Sequence, residues 1–347
     1  MNSIKAPTNT PEKILIIRLS SIGDILLSTP FVRQIRKTFP DAKIDFIVKD
    51  IYKELLTYNP YIDELYSLKL DNGRKELNEL KVKLSDKSYD VVFDLHNNMR
   101  SNYLKHGIHS GKTFSINKEK IKQSLLVFFK INLYDKETPI PLRYLSVAKD
   151  YGVSDDEKGL DLFWKDETKE SAEKKAISMG LELNRPYICL APGAGFFTKR
   201  WPEEKFGNLV DLFQQDNKHQ IIVLGDQNDK KIGISLDRQN NIIDLCGKLS
   251  LLETAHIVSK GEGVVSNDSG LMHMATAVKT PVSAIFGSTV RELGFFPYRA
   301  KSVVIENTDL SCRPCSHIGR KTCPKSHFKC MSEISPEQVY AGLMQFL

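Results

Sequence analysis

A short polar loop stands where an apolar strand gives way to a helix near the amino end, and it contains Ser20, Ser21, Gly23 and Asp24. The loop follows KILII, a β-branched run typical of a buried strand. Strand carboxyl ends and helix amino ends leave backbone groups free, so ligands bind there in open α/β sheets. Asp24 is therefore either a helix cap or a catalytic base that takes a proton from an attacking hydroxyl.

A second loop of this kind is APGAGFFTKRWP, residues 191–202. Gly193 and Gly195 open a turn after a strand, and Lys199 and Arg200 come just before a helix start. Two cations beside free helix amides favour a phosphate site, although a solvent-facing basic turn would have the same composition. We expect Trp201 to pack beneath the loop.

A third loop, SNDSGLMHMATA at residues 266–277, ends an apolar strand and starts a helix of small residues. Small side chains at Ser269 and Gly270 permit close approach of a pyrophosphate, which the helix amino end would stabilise. Asp268 could alternatively be only the cap, and His273 only a core histidine. Asp229, in GDQND after another strand, suits a ribose hydroxyl or a solvated surface.

Six cysteines are too few for a disulfide scaffold in 347 residues, so we expect them to be reduced. Cys189 and Cys246 fit core positions at strands. The remaining four have the spacing C-x2-C-x7-C-x6-C, which could hold zinc or could be free thiols packed in a loop. These are Cys312, Cys315, Cys323 and Cys330.

The elements that position these loops alternate between strand and helix in two stretches. This βαβ rhythm predicts two α/β domains, residues 1–165 and 166–347, each with a mostly parallel sheet. We expect a polar linker near residues 153–175, helices over about 24–39 and 118–151, and a cleft between the carboxyl ends of the two sheets. The last helix could pack back on the amino-terminal domain.

Composition excludes several classes of protein. Hydrophobic residues make up 41% and charged residues 27%, typical of a soluble globular protein. A membrane span, a signal peptide and the GxGxxG, GxxxxGK[ST], GxSxG and HExxH motifs are not found in the sequence. We therefore expect a cytoplasmic protein that binds phosphate-bearing small molecules and no nucleic acid.

Basic residues concentrate between Met99 and Tyr134, where seven Lys and Arg face one Glu. Such a block is typical of a surface that meets phosphates or anionic lipid, and equally of a solvated helix face. Residues 118–134 combine lysines with an apolar face that could lie on a membrane. We predict instead that this apolar face packs in the core.

Three ordered segments carry a resemblance: RLSSIGDILLSTP at 18–30, TKRWP at 198–202 and SNDSGLMHMATA at 266–277. They resemble glycosyltransferase family 9, the ADP-heptose:lipopolysaccharide heptosyltransferases, over about residues 13–345. The resemblance implies a GT-B fold, two Rossmann-like domains with parallel sheets facing across a central cleft. It implies acceptor binding by the amino-terminal domain and donor binding by the carboxyl-terminal one.

The resemblance also implies roles for individual residues. Asp24 corresponds to the general base, and Ser20, Ser21 and Gly23 to its loop. DLHNNMRS at 94–101, which includes Arg100, is similar to a family segment near the acceptor, with His96 and Asn97 departing from its commoner residues. The positions that correspond to donor-binding residues are Lys199, Asp229, Asp268, Ser269, Gly270, Leu271 and His273.

The implied reaction is inverting, metal-independent transfer of heptose from ADP-L-glycero-D-manno-heptose to an inner-core lipopolysaccharide acceptor, Kdo or heptose, with no cofactor. The implied partners are this ADP-sugar, the anionic acceptor and the cytoplasmic face of the inner membrane, which a peripheral protein contacts. Two alternatives stay open at this point: the same fold using another nucleotide sugar for a surface glycan, and a nucleotide-sugar binding protein without turnover. Loss of transfer in Asp24→Ala with ADP affinity kept would favour the enzyme.

Overall fold

A computed structural model describes residues 10–69, 73–215, 217–236 and 242–347. The chain divides into two compact units. Unit 1 comprises Met1–Lys118 and Ile140–Phe163, and unit 2 comprises Glu119–Pro139 and Trp164–Leu347. The predicted division at residue 165 into an acceptor and a donor domain stays a prediction.

Unit 1 is built on a five-stranded parallel sheet of order β3-β2-β1-β4-β5. The strands are β1 Lys13–Ile17, β2 Lys43–Lys49, β3 Glu64–Leu68, β4 Tyr89–Asp94 and β5 Ser110–Ser115. The first four fit the expected alternation of strands and helices, whereas β5 is a polar, largely exposed edge strand that sequence analysis missed. The strand order reverses between β1 and β4, which makes their carboxyl ends the topological switch point where ligands bind in such sheets.

The helices up to residue 163 are α1 Ile22–Leu27, α2 Thr29–Thr38, α3 Arg74–Ser85, α4 Met99–Lys105, α5 Lys120–Ser124 and α6 Ile140–Leu145. The single helix expected over residues 24–39 is wrong, because Pro30 interrupts it. Proline has no amide hydrogen to donate to the Leu26 carbonyl four residues back. The Thr29 hydroxyl donates to that carbonyl instead, at 2.7 Å.

The continuous helix expected over residues 118–151 is also wrong. It is replaced by α5, a π-helical turn Leu125–Phe129, an irregular stretch to Pro139, then α6 and a 3₁₀ helix Ser146–Tyr151. The prediction that residues 118–134 pack in the core is wrong as well, since Leu126 and Val127 are buried but Ile121, Phe128 and Phe129 are exposed. The sequence shows that one face of a segment is apolar, but the rest of the fold decides whether the protein core covers that face.

Unit 2 carries a six-stranded parallel sheet of order β11-β10-β9-β6-β7-β8. The strands are β6 Tyr187–Ala191, β7 Gln220–Val223, β8 Ile242–Asp244, β9 Gly263–Asn267, β10 Val282–Phe286 and β11 Ser302–Glu306. The order reverses between β6 and β9, so the loops after these two strands flank the switch point. Those are the two loops that the sequence singled out for phosphate binding.

The helices after residue 163 are α7 Asp166–Ser178, α8 Glu203–Gln214, α9 Lys230–Leu236, α10 Leu251–Lys260, α11 Gly270–Ala277, α12 Lys329–Ser332 and α13 Pro336–Met344. Further 3₁₀ turns are Asp50–Leu56, Phe197–Lys199, Gln227–Asp229 and Arg291–Leu293. Residues 166–175 of the expected linker thus lie in the helix α7. Val339 and Leu343 of α13 join the core of unit 2, so the buried face of the last helix is occupied within that unit.

Alternate residues of β6 enter two different clusters, as a strand covered on both faces requires. Ile188 and Leu190 pack with Phe206, while Tyr187 and Cys189 pack with Met272. Among the described residues, no helix combines the length and the apolar character needed to cross a membrane.

Candidate active site

Asp24 lies in the first turn of α1, at the switch point of unit 1. Its Oδ1 is 2.6 Å from Nη2 of Arg18, and its Oδ2 accepts hydrogen bonds from the backbone amide and the hydroxyl of Ser21, both at 3.0 Å. The carboxylate thus caps the helix, yet 20% of the side chain is exposed. Capping and access to a substrate are therefore compatible at this position.

The pKa of Asp24 lies below its ordinary value. Burial acts to raise it, but the charge of Arg18 and the two hydrogen bonds from Ser21 together outweigh burial. Asp24 is therefore ionised at neutral pH and able to accept a proton. Ser20 is half-buried and Gly23 is buried in the same loop.

Arg18 is a residue of the candidate site that sequence analysis missed. It is 8% exposed, its Nη1 donates to the Leu95 carbonyl at 2.6 Å, and its guanidinium lies 5.5 Å from the ring centre of Tyr144. Arg18 thus links the loop after β1 to the loop after β4, the two loops of the switch point. The available signal was a charged residue directly after an apolar strand, because a charge at such a position is buried only when it is paired.

Asp94 organises the DLHNNMRS segment from inside. It is fully buried, its Oδ1 accepts from the amides of His96 and Asn97, and its Oδ2 accepts from the Ser101 hydroxyl at 2.8 Å and Lys105 Nζ at 2.7 Å. These bonds fix the start of α4. Burial, with the charge of Arg18, lowers the pKa of His96 to about 4, so this histidine is neutral at neutral pH.

Arg100 lies exposed in the first turn of α4. Burial and the nearby charge of Arg100 lower the pKa of Lys49, which ends β2, so two cations lie near each other at this edge of the sheet. Arg100 also lines a cavity of about 600 Å³ between α3 and α4. The other lining residues are Gly73, Arg74, Leu77, Asn78, Met99 and Tyr103.

Lys199 and Asp268 contact each other across the switch point of unit 2. Lys199 Nζ is 2.7 Å from Asp268 Oδ2, which also accepts from the Thr289 hydroxyl at 2.7 Å. The Asp268 side chain is 5% exposed and that of Lys199 16% exposed. The acid therefore holds the ammonium group in place beside the start of α11. Thr289, at the end of the GST run after β10, was missed by sequence analysis.

Asn267, also missed, ties the loop after β6 to the end of β9. Its Oδ1 accepts from the Trp201 amide at 3.0 Å, and its Nδ2 donates to the Pro192 carbonyl at 2.7 Å. Trp201 is 2% exposed, and its indole Nε1 donates to the Ile334 carbonyl. The expectation that Trp201 packs beneath the loop is confirmed.

The start of α11 matches the predicted pyrophosphate site in position. Ser269 is its N-cap, with its hydroxyl 3.2 Å from that of Ser266, and Gly270 is the first helical residue. The first amides of a helix have no partner within it and favour an anion. Leu271 packs against the core, and His273 is 3% exposed, as the alternative of a core histidine predicts.

Asp229 lies against two glycines. A Cβ built on Gly193 would meet Asp229 Oδ2 at 2.3 Å, and one on Gly225 would meet its Cβ at 2.6 Å. Asp229 Oδ2 accepts from the Asp226 amide at 3.1 Å, and burial raises its pKa. The carboxylate is thus set beside the loop that carries Lys199, within the electrostatic reach of Arg200.

The structure joins none of the six cysteines in a disulfide, and their reduced state stays a prediction. In the part of the chain that the structure describes, no three His, Cys, Asp or Glu side chains are arranged to hold a metal ion. The zinc alternative for Cys312, Cys315, Cys323 and Cys330 therefore gains no support. Cys312 Sγ lies 3.8 Å from Nε2 of His327, and Cys330 is buried.

Comparison with known proteins gives concordant matches. The chain is 28% identical to lipopolysaccharide heptosyltransferase 2 of Escherichia coli K12 over 79% of this chain and 82% of that one. It is 28% identical to lipopolysaccharide heptosyltransferase 1 of Campylobacter coli over 94% and 96%.

Two solved structures extend the likeness to the fold. A glycosyl transferase family 9 structure from Veillonella parvula matches with a TM-score of 0.82 and 26% identity, covering 99% of both chains. E. coli ADP-heptose LPS heptosyltransferase II matches with a TM-score of 0.72 and 23% identity over 96% and 98%. The predicted GT-B fold is confirmed.

The sequence model of glycosyltransferase family 9 (heptosyltransferase) matches residues 77–326, a span that includes DLHNNMRS at 94–101 and the loops after β6 and β9. This span covers more than half of the chain. The chain therefore belongs to glycosyltransferase family 9, and it is a glycosyltransferase.

Proposed function

We propose that this enzyme transfers heptose from ADP-L-glycero-D-manno-heptose to an inner-core lipopolysaccharide acceptor, with inversion at the anomeric carbon. The observation that carries the proposal is the division of charge between the two switch points. Unit 1 presents an ionised, partly exposed carboxylate at Asp24, and unit 2 presents Lys199 beside the amino end of α11. The heptosyl group and the lipopolysaccharide acceptor come from the names of the relatives.

In the proposed reaction Asp24 takes the proton of the acceptor hydroxyl as that oxygen attacks the anomeric carbon. The bond from this carbon to the diphosphate breaks on the opposite face, and ADP leaves. Lys199 and the first amides of α11 stabilise the charge that develops on the departing diphosphate. Asp229 accepts hydrogen bonds from the ribose hydroxyls.

The proposal needs no divalent metal, because a lysine and helix amides supply the stabilisation of the leaving diphosphate. We expect transfer to continue at an unchanged rate in excess EDTA. A rate that falls with EDTA and returns with Mg²⁺ or Mn²⁺ would contradict this expectation.

Unit 1 has the chemistry for an anionic, amphiphilic acceptor. Arg74 and Arg100 suit the carboxylates and phosphates of an inner core. Met99, which is 90% exposed, and Leu77 give the same cavity an apolar part. We assign acceptor binding to this region and place the enzyme at the cytoplasmic face of the inner membrane, where a lipid-anchored acceptor is presented.

The direct test measures ADP release from ADP-heptose, UDP-glucose and GDP-mannose against truncated lipopolysaccharides that end in Kdo, in one heptose or in two. The proposal predicts release with ADP-heptose and only one of these acceptors, together with a β-to-α or α-to-β change at the anomeric carbon of the product. Equal release without any acceptor, or turnover only with another nucleotide sugar, would refute it.

A further inference from the structure

Residues 119–139, here named the apolar segment, expose a concentration of large apolar side chains. Five of them lie within 13 positions, whereas the described residues elsewhere expose such side chains singly or in small groups. The five and their exposed fractions are Ile121 78%, Phe128 68%, Phe129 68%, Ile131 49% and Leu133 47%. Single exposed apolar side chains are ordinary on a protein surface, whereas a concentration of large ones in one short segment indicates an interaction site.

The structure holds this surface in place. Leu126 and Val127 are buried and anchor the π-helical turn. Lys130 follows the turn, and its Nζ donates to three carbonyls, those of Val127 at 2.9 Å, Cys312 at 3.1 Å and Pro314 at 2.6 Å. The aromatic pair Phe128 and Phe129 is therefore presented by an ordered turn that is fastened to the body of unit 2.

The charges near the apolar segment favour an anionic bilayer over a second copy of this chain as its partner. Lysines flank the apolar residues along the chain at positions 118, 120, 122 and 136, against acids at 119, 135 and 137. The ammonium group of Lys130, although held by three carbonyls, adds a further positive charge. Phenylalanine, leucine and isoleucine beside lysines are typical of segments that lie in the interface of an anionic bilayer. A second copy of this chain would bring the same excess of positive charge to the contact, which disfavours self-association.

We propose that the apolar segment inserts Phe128 and Phe129 into an anionic lipid surface and so docks the enzyme on the membrane. The inference rests on the proposed function in one respect, since a lipid-anchored acceptor gives the docking its use. Binding itself requires no turnover, so it can be measured with neither donor nor acceptor present.

The test is co-sedimentation with vesicles of phosphatidylethanolamine and phosphatidylglycerol, with phosphatidylcholine vesicles as the neutral comparison. We expect the wild-type protein to bind the anionic vesicles, less so at high salt, and Phe128→Ser/Phe129→Ser to bind them at least about tenfold more weakly. Ile177→Ser/Met179→Ser removes two apolar side chains that are 53% and 40% exposed elsewhere in unit 2, and it should bind as the wild type does.

Two further measurements distinguish loss of lipid contact from misfolding or from loss of acceptor binding. They are activity on a lipid-free truncated acceptor and thermal unfolding. Both should be the same in Phe128→Ser/Phe129→Ser as in the wild type. Equal vesicle binding by wild type and this variant, or an equal loss in the Ile177→Ser/Met179→Ser control, would overturn the proposal. So would a raised KM for the lipid-free acceptor with vesicle binding unchanged, which would assign the segment to acceptor binding. Absence of transfer in every variant with vesicle binding intact would refute only the proposed function.

Discussion

At the scale of single residues, the ion pair between Arg18 and Asp24 sets the proton chemistry of unit 1. The carboxylate is largely buried, and burial alone would raise its pKa. The charge of Arg18 at 2.6 Å and the bonds from Ser21 bring the pKa below the ordinary value. Asp24 therefore stays ionised to a lower pH than an isolated aspartate does.

This pairing predicts the acid side of the pH profile. A carboxylate base works only when ionised, so kcat/KM falls as the pH drops through the pKa of Asp24. In the wild type that fall should come below about pH 4, the ordinary range of aspartate. Arg18→Gln removes the positive charge that lowers the pKa of Asp24, while burial still raises it. The fall in kcat/KM of this variant should therefore come at a higher pH. The measurement is the pH dependence of kcat/KM.

Arg36→Gln is the matched control, because it breaks a different ion pair of the same unit, with Asp63 at 2.5 Å. Its acid limb should coincide with that of the wild type. An Arg18→Gln profile that also coincides with the wild type would mean that Asp24 is not the group that titrates.

Lys199 should contribute to the affinity of the protein for ADP. Charge-assisted hydrogen bonds contribute about 1.5–3 kcal/mol, so Lys199→Met should weaken ADP binding by roughly 10- to 100-fold. Lys231→Met, an exposed lysine on α9, should leave the affinity unchanged. Isothermal titration with ADP measures both, and equal affinities for the two variants would exclude Lys199 from the donor site.

Sequence motifs identified the residue types of the site but not their partners. Asp24, Lys199 and Asp268 stand in local patterns that can be recognised from neighbours along the chain. Arg18 binds a carbonyl 77 positions away, and Thr289 lies 21 positions from Asp268. Contacts of that length depend on the fold, so no local pattern predicts them.

At the scale of elements, tight turns after β6 and β7 set Asp229 beside the phosphate loop. Gly193 and Gly225 leave the space that the Asp229 carboxylate fills. A side chain at either position would compete with that carboxylate for the same volume. The two glycines therefore act on the donor site through packing and not through a contact of their own.

Two neighbouring glycines provide a matched pair of substitutions. Gly193→Ala places a Cβ 2.3 Å from Asp229 Oδ2 and should displace the carboxylate, weakening ADP binding by about tenfold. Gly195→Ala, whose Cβ would have no atom within 4 Å, should bind ADP as the wild type does. Titration with ADP compares them. A second titration uses AMP and an AMP analogue that lacks the ribose hydroxyls. If Gly193→Ala weakens the binding of both ligands by the same factor, Asp229 does not act on the ribose.

The sequence predicted the strands whose apolar residues are in fact buried. Apolar β-branched runs identified β1, β4, β6, β9 and β10, because strands covered on both faces are continuously apolar. The edge strand β5 has no such run, and its polar SGKTFS sequence resembles a loop. The helix predicted over residues 118–151 is wrong for the opposite reason, because several of its apolar residues are exposed. Pro139 and Pro141 also divide the stretch.

At the scale of the whole molecule, the proposed reaction assigns a different half of the chemistry to each unit. Alternation of strands and helices predicted two parallel α/β sheets, and both are present. The strand orders, which place the loop of Asp24 and the loops of Lys199 and Asp268 at the two switch points, follow from long-range pairing and were not predicted. The acceptor and donor assignments of the two units come from the family resemblance and from the chemistry of Asp24 and Lys199.

Asp24→Asn tests directly whether this carboxylate is the base. The amide keeps the size of the side chain but cannot serve as a base, so kcat for heptose transfer should fall by about 10²- to 10⁴-fold. Binding of ADP depends on unit 2 and should stay within about twofold of the wild type. The measurement is kcat together with the dissociation constant of ADP for the same protein preparation. A kcat near the wild-type value would contradict the central claim that Asp24 is the base.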